Sequence, residues 1–479
     1  MPPPRTPAAG RLGGMSIVFL ALAAVTPLTV VATIVPDAYA VGELLGLPLL
    51  FAGAGLLLLI FVAGHAAMSR RLPHAGPLYS IVTRGLGRPL GIGAAWLAVL
   101  SYGALQLGLL TAASRYLPGV PWWAVVLGGW AVVAVCGVLR LAVSAWLLVV
   151  LVLAETVVIV GYSAADVVQP AGGQISWAAL APAQLSEVPR PALGLLLVVV
   201  ALTFIGFETA AAYAEEARTP RRTITRATYL SVLLLAILFV TASWAMTVAT
   251  GPDRIAAEAG ARGPDLVFDL AAARLAPWAV TLGRVLVVTG LLAAAIALHQ
   301  TISRYLFALG RERVLPHRPT STPARASLVQ TVLVGLMIGG GALIKVDPAL
   351  LSLAGGLGIL VLLLGVSLAA LLFLNRQPAG EGAWNRLAPG LSTITLGALV
   401  YLAIDEHRTL GIVAAAVLAL GVVHGLVLRA ATPVTYAGLG LGGTPVVVTP
   451  SKPPVRAVPR QREPGAHRPE RVNREELTG

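Results

Sequence analysis

The stretch FIGFETAAAYAEEARTP, residues 204–220, decides how the rest of the sequence is read. It begins apolar enough for lipid, places Gly206 and Glu208 at its middle, and closes in a charged run. An ionised carboxylate near a bilayer centre costs at least about 2.5–3.5 kcal/mol, so such a residue is functional by default. A glycine just before it permits backbone angles closed to other residues and lets the helix break there. The stretch therefore reads as a discontinuous membrane helix with a titratable group beside the break, ending at an aqueous face. The competing reading is a glutamate held permanently in hydrogen bonds that keep the broken helix together.

Composition sets the context. The chain has 479 residues, of which 57% are hydrophobic and 11% charged; an ordinary soluble domain carries about 25% charged residues. Apolar runs of about 20 residues, long enough to cross a bilayer, recur about twelve times. Lipid offers no hydrogen bonds, so these runs must be helices and the fold an all-α integral membrane protein. The spans fall at 15–40, 44–68, 89–115, 121–139, 141–167, 191–214, 225–250, 277–309, 326–345, 348–374, 388–405 and 409–429. The first follows Arg5 and Arg11 and contains ALAA, as a secretory signal would. Its apolar pattern continues through Tyr39, past a usual signal core of about 7–15 residues, which favours a retained helix.

The single cysteine, Cys136, excludes an intramolecular disulfide and a cysteine-based metal site. The net charge of +13 comes from arginines in the loops rather than on one basic face, so a nucleic-acid partner is not expected. Arg70, Arg71, Arg84, Arg88, Arg218, Arg221, Arg222, Arg311 and Arg313 share one side under this topology. The positive-inside rule makes that side cytoplasmic, with both termini there and the protein multi-pass in the cell membrane. The organisation is a cytoplasmic segment 1–14, a transmembrane domain 15–430 and a cytoplasmic tail 431–479, Pro- and Arg-rich and expected to be disordered. Residues 72–88 read as an interfacial elbow, and 251–277 as an acidic extracellular helix-turn segment. No Walker A, HExxH or Asp-rich diphosphate motif is present, which argues against an enzyme and against a cofactor or metal site.

A second interrupted span matches the first. In LALAAVTPLTVVATIVP, residues 20–36, Pro27 falls near the membrane midplane, where it removes an amide hydrogen and frees carbonyls. Thr26 and Thr29 flank it and can satisfy the freed groups; a kinked packing helix is the plainer reading of this span alone. Spans one and six each head a run of five, so their matching breaks point to a transport site built on an inverted repeat: 15–167 and 191–374, followed by two helices within 388–429. Half-helix ends suit a zwitterion, amides facing its carboxylate and carbonyls its ammonium. Glu208 can bind a cation or carry a proton, since desolvation favours a neutral carboxyl and links protonation to conformation. Glu155 in span five is a second intramembrane carboxylate, structural or part of a proton relay. Arg284 is expected to pair with extracellular acids, and His299 to make a satisfied polar contact.

MSRRLPHAGPLYSIVTRGLGRPLG at 68–91, FIGFETAAAYAEEARTPRRTITRA at 204–227 and SRYLFALGRERVLP at 303–316 together resemble the amino acid-polyamine-organocation superfamily of permeases. The resemblance covers nearly all of the chain before residue 431. It implies a five-plus-five inverted repeat with discontinuous helices one and six, alternating access, and substrate held between helices one, three, six, eight and ten. Carried over by position, Thr26, Pro27, Leu28 and Thr29 line one unwound segment, and Phe204, Ile205, Gly206, Phe207 and Glu208 the other. Tyr102 matches a gating tyrosine, and Gln106, one turn on, is expected to face the same cavity. The family's small-x-Gly pattern in helix one is replaced here by Thr26-Pro27-Leu28. Helix eight offers only Thr289 where sodium-coupled relatives place hydroxyls, and hard cations need several oxygens, so protons are the expected coupling ion.

The function implied is a secondary active transporter of amino acids, proton-coupled through Glu208 and Glu155. Its partners are a small amino acid or amine, protons and membrane lipid. A carrier of polyamines or cationic amines is the alternative within transport, and a non-transporting amino acid sensor the alternative outside it. Glu215 and Glu216 are expected to form a latch with Arg218, Arg221, Arg222 or the basic loop after helix two, or else to be solvated.

Overall fold

Every apolar run becomes a helix, because a backbone in lipid must satisfy its own hydrogen bonds. In the computed structural model, which describes residues 12–71, 77–139, 141–186, 189–344, 347–377 and 382–440, eleven helices are long and apolar enough to cross a membrane. Trp122–Val138, 17 residues long, is a shorter apolar helix between the third and fifth spans. The fold is the twelve-helix arrangement that the sequence implies.

Span one runs from Gly14 to Gly42, and span two is Leu47–Ser69. Span three, Arg88–Ala113, is followed by span four, Trp122–Val138, and span five, Leu141–Val168. Span six begins as Arg190–Leu202 and resumes as the 3-10 helix Phe207–Glu216. Spans seven and eight are Pro220–Thr250 and Pro277–Arg311, with the short helices Ile255–Arg262 and Asp265–Ala272 between them. Spans nine to twelve are Pro323–Ile344, Pro348–Asn375, Ala383–Glu406 and Arg408–Ala431.

Span one sits at the centre, packed on spans five, seven and eight and on the second half of span six. Its core residues Ile17, Leu20, Ala21 and Leu28 are fully buried. Span three is the second hub, against spans eight, ten and twelve. Small residues allow this closeness, since helices in lipid associate by packing rather than by expelling water. A Cβ on Gly421 would lie 2.6 Å from Gly93 Cα, and one on Gly355 2.6 Å from Ser101 O.

Two expectations change. The elbow forms the helix Leu78–Gly85, but Leu78, Tyr79, Ile81 and Val82 are buried under the bundle rather than lying on a membrane surface. The Leu78 amide donates to the Tyr305 hydroxyl at 3.1 Å, which ties the elbow to span eight; residues 72–76 lie outside the described residues. The tail expected to be disordered from residue 431 starts with order, in the helix Pro433–Ala437. Arg88 donates to Ala437 O at 3.0 Å and lies over the Tyr436 ring, Arg84 reaches Gly440 O at 3.4 Å, and Leu439 is buried. One aromatic and one leucine supply the apolar contact that the composition of the whole tail conceals; residues 441–479 lie outside the described residues.

Candidate functional site

The first break is made by what proline lacks. The helix Gly14–Val25 ends at Thr26, whose φ of 49° and ψ of 71° are left-handed. Pro27 has no amide to offer Ala23. The Leu28 amide turns aside to Glu155 Oε2 at 3.1 Å, and the Thr29 amide bonds Thr26 O at 3.0 Å. The carbonyls of Ala23, Ala24 and Val25 thus lose their helical partners, and no bond to them replaces these among the described residues. The two threonine hydroxyls do not take up that role: Thr26 Oγ1 and Thr29 Oγ1 bond each other at 2.8 Å.

The second break is made by what glycine permits. The amides of Thr203, Phe204 and Ile205 close tight turns onto the carbonyls three residues back, each at 3.2 Å. Gly206 then adopts φ 127°, a region strained for any side chain. Its amide donates to Glu208 Oε2 at 2.9 Å, and the Tyr102 hydroxyl donates to Glu208 Oε1 at 2.9 Å. Both intramembrane carboxylates therefore cap a broken helix: Glu155 caps the first break and Glu208 the second. They are almost wholly enclosed, 1% and 3% exposed.

The breaks touch. A Cβ at Gly206 would lie 2.8 Å from Val25 Cγ2 and 2.9 Å from the Ala24 carbonyl carbon. Gly290 of span eight makes a similar approach from the other side, where a Cβ would collide with Glu155 Oε1 and lie 2.9 Å from Thr26 Oγ1. A cavity of 1270 Å³ extends from this junction to the end of the bundle away from Leu12. Thr26, Thr29 and Ile205 line it near the breaks, and Asp37, Arg115 and Arg284, all exposed, line its mouth. Arg284 meets an acid as expected, pairing with Asp265 at 2.9 Å.

The other predicted residues lie behind the cavity wall. Phe204 packs edge-on against Phe239 of span seven at 5.4 Å between ring centres, and Phe207 against Phe61 of span two at 6.0 Å. Pro27 and Leu28 are buried, the latter offering its amide rather than its side chain. Tyr102 is fully buried beneath Glu208. Gln106 does not share its surroundings: four residues advance a helix by about 40° beyond a full turn, and its Oε1 accepts from Gln330 Nε2 of span nine at 3.1 Å. His299 has the polar contact anticipated for it, 2.8 Å from Ser327 Oγ. Ser352 of span ten and Gly108 of span three line the cavity where the two helices meet, and only their small size signals this in the sequence.

The opposite end is shut. Arg304 of span eight donates to both oxygens of Glu216, at 3.0–3.3 Å, and lies 4.2 Å from the centre of the Tyr213 ring. Arg311 pairs with Glu215. These partners correct the expected latch: the second half of span six descends beside span eight, so its two glutamates meet span-eight arginines rather than those of their own loop. The Tyr79 hydroxyl donates to Glu312 at 3.2 Å. Burial first, and then the Glu312 carboxylate beside it, hold that hydroxyl well above its ordinary pKa, which keeps it a donor. Leu12 adds a parallel bridge to Ala217: its amide donates to Glu216 O at 3.0 Å, and the Arg218 amide donates to Leu12 O at 3.3 Å.

Known proteins resemble this chain in sequence. Residues 12–441 match the family model described as Amino acid permease. An uncharacterized transporter of Mycobacterium bovis is 28% identical over 342 residues, covering 68% of this chain and 73% of its own. Uncharacterized transporters from two Mycobacterium tuberculosis strains match with the same identity and coverage.

Proposed function

Because the chain belongs to the amino acid permease family, we propose that it is a secondary active transporter of α-amino acids or closely related amines, working by alternating access across the cell membrane. The observation that carries this reading is the junction of two broken helices at the base of a cavity open at one end, with ion pairs closing the other. Broken helices at mid-membrane offer unpaired backbone groups to a polar solute without exposing them to lipid. The arginine-rich end, with Leu12, is cytoplasmic by the positive-inside rule, so the described conformation faces outward.

Protons are the proposed coupling ion, acting at Glu208 and Glu155. An ionised carboxylate is a far better acceptor than a neutral carboxyl. Protonating either group weakens its hold on the amide of a broken helix and biases the angle at that break. Glu208 is the leading candidate, since its two oxygens join span six to span three through Tyr102.

The test is uptake of pooled radiolabelled amino acids and amines by purified protein in liposomes, with and without an imposed inward proton gradient. Stimulation by the gradient in the wild type, and loss of that stimulation in Glu208→Gln, is the expected result. Unchanged uptake and pH response in Glu208→Gln removes Glu208 from the coupling role. Absence of uptake by folded protein under both conditions sinks the transporter reading.

A further inference from the structure

The arginines at the closed end of the bundle are met in two ways. On the side of spans six and eight they face carboxylates, Arg304 with Glu216 and Arg311 with Glu215. On the side of spans three, ten and twelve they meet backbone carbonyls, and no carboxylate among the described residues. Arg84 of the elbow helix reaches Gly440 O at 3.4 Å, and Arg88, at the start of span three, donates to Ala437 O at 3.0 Å and lies over the Tyr436 ring. Arg376, just past span ten, reaches Gly85 O at 3.5 Å. Arg429, on the last turn of span twelve, has no hydrogen bond or ion pair among the described residues. A guanidinium carries five N–H donors, so each of the four keeps most of its capacity.

Packing gathers these groups, and the chain supplies little to balance them. A Cβ on Gly85 would collide with Ala369 of span ten, and one on Gly425 of span twelve would lie 2.9 Å from Pro89 Cα of span three, so the elbow and the three span ends share one rim. Residues 68–91, 374–388 and 427–440 contain Arg70, Arg71, Arg84, Arg88, Arg376, Arg386 and Arg429 against one carboxylate, Glu381, which lies outside the described residues. Arg386 Nε, at the start of span eleven, is buried without an acceptor among the described residues. The sequence beyond residue 440 is itself basic, with seven Lys and Arg against four Glu. Like charges on one rim repel unless an anion lies among them.

The surface next to the arginines is apolar. Leu90, two residues past Arg88, and Leu426 and Val427, just before Arg429, are all exposed. An anionic head with a hydrocarbon body fits this pairing, and a small soluble anion uses only half of it. We propose that this rim binds an anionic phospholipid, its phosphate on the guanidiniums of Arg84, Arg88, Arg376 and Arg429 and its acyl chains along Leu90, Leu426 and Val427. The cationic groups of the rim are all arginine, whose planar fork matches phosphate oxygens two at a time. The bound headgroup sits beside the helix Pro433–Ala437, which the same arginines hold. The proposal is independent of what the cavity carries.

The experiment melts the purified full chain in detergent with added dioleoylphosphatidylglycerol, dioleoylphosphatidylcholine or soluble glycerol 3-phosphate. Native mass spectrometry of the wild type reads lipid retention without any substitution. Phosphatidylglycerol should be retained and should raise the unfolding midpoint at concentrations at least tenfold below those at which phosphatidylcholine acts, and glycerol 3-phosphate should do neither. The Arg376→Gln, Arg429→Gln double variant should lose at least half of the phosphatidylglycerol shift. Both side chains are exposed, so its midpoint in phosphatidylcholine should match the wild type. The Arg222→Gln, Arg226→Gln double variant removes the same charge from exposed positions at the start of span seven and should keep the shift. Equal loss in the two double variants would mean diffuse attraction between a basic face and anionic lipid, and would overturn the proposal. Equal retention of the two lipids would overturn it as well. Stabilisation by glycerol 3-phosphate as strong as by the lipid would overturn the lipid assignment in favour of a soluble phosphate. The transporter reading stands or falls separately, on the uptake assay.

Discussion

Gly206 carries two demands at one atom position, a positive φ and contact with span one. Forcing a side chain into such a backbone region costs about 1–3 kcal/mol, and the clash with Ala24 adds to it. Gly206→Ala should lower the thermal unfolding midpoint in detergent and reduce uptake at least about tenfold. Gly161→Ala is the control, because nothing lies within 4 Å of a Cβ there and the position is helical.

In the proposed transport cycle, the closure between the second half of span six and span eight is the element on which alternation would turn. Arg304 and Glu216 are 16% and 11% exposed at their side chains, so removing one leaves the other charge poorly solvated. Breaking a buried pair in this way costs about 3–5 kcal/mol. Arg304→Ala should make cysteines introduced on the closed side of the cavity label faster with a membrane-impermeant thiol reagent applied from the side of Leu12, cytoplasmic in the proposed orientation. The Arg304→Ala, Glu216→Gln double variant should label no faster than Arg304→Ala alone, since removing the second charge relieves the uncompensated one. Unchanged labelling in Arg304→Ala would show that this pair does not hold the closed end shut. The breaks themselves were legible in the sequence because proline and glycine announce local backbone chemistry. Their surroundings were not, because Tyr102 meets Glu208 across 106 residues and Arg304 meets Glu216 across 88, and no spacing rule reaches so far. Gln106 shows the limit at shorter range, where helical periodicity gives a face only to within a fraction of a turn.

Across the whole molecule, hydropathy located the spans because lipid enforces one secondary structure, and an eye for net composition failed at residues 431–440 because a few contacts decided the matter. Those contacts predict that Arg88→Ala, which removes the bond to Ala437 O and the stacking over Tyr436, frees the helix Pro433–Ala437 from the elbow. Limited proteolysis should then cut between residues 431 and 440 at protease levels that leave the wild type intact. Equal resistance would mean that the remaining contacts of Leu439 and Gly440 suffice.

The bridge between Leu12 and the strand-like end of span six gives the chain a mechanical property. Leu12 is bonded on both sides to a segment that would swing in the proposed cycle, and Gly440 is bonded to the elbow. In that cycle, drag applied at Leu12 or at Gly440 would enter the rate of opening. A bulky domain fused at either end should slow turnover in proportion to how tightly it is leashed, and a long flexible leash should restore it. Leu12 and Gly440 are, in that sense, its drawstrings.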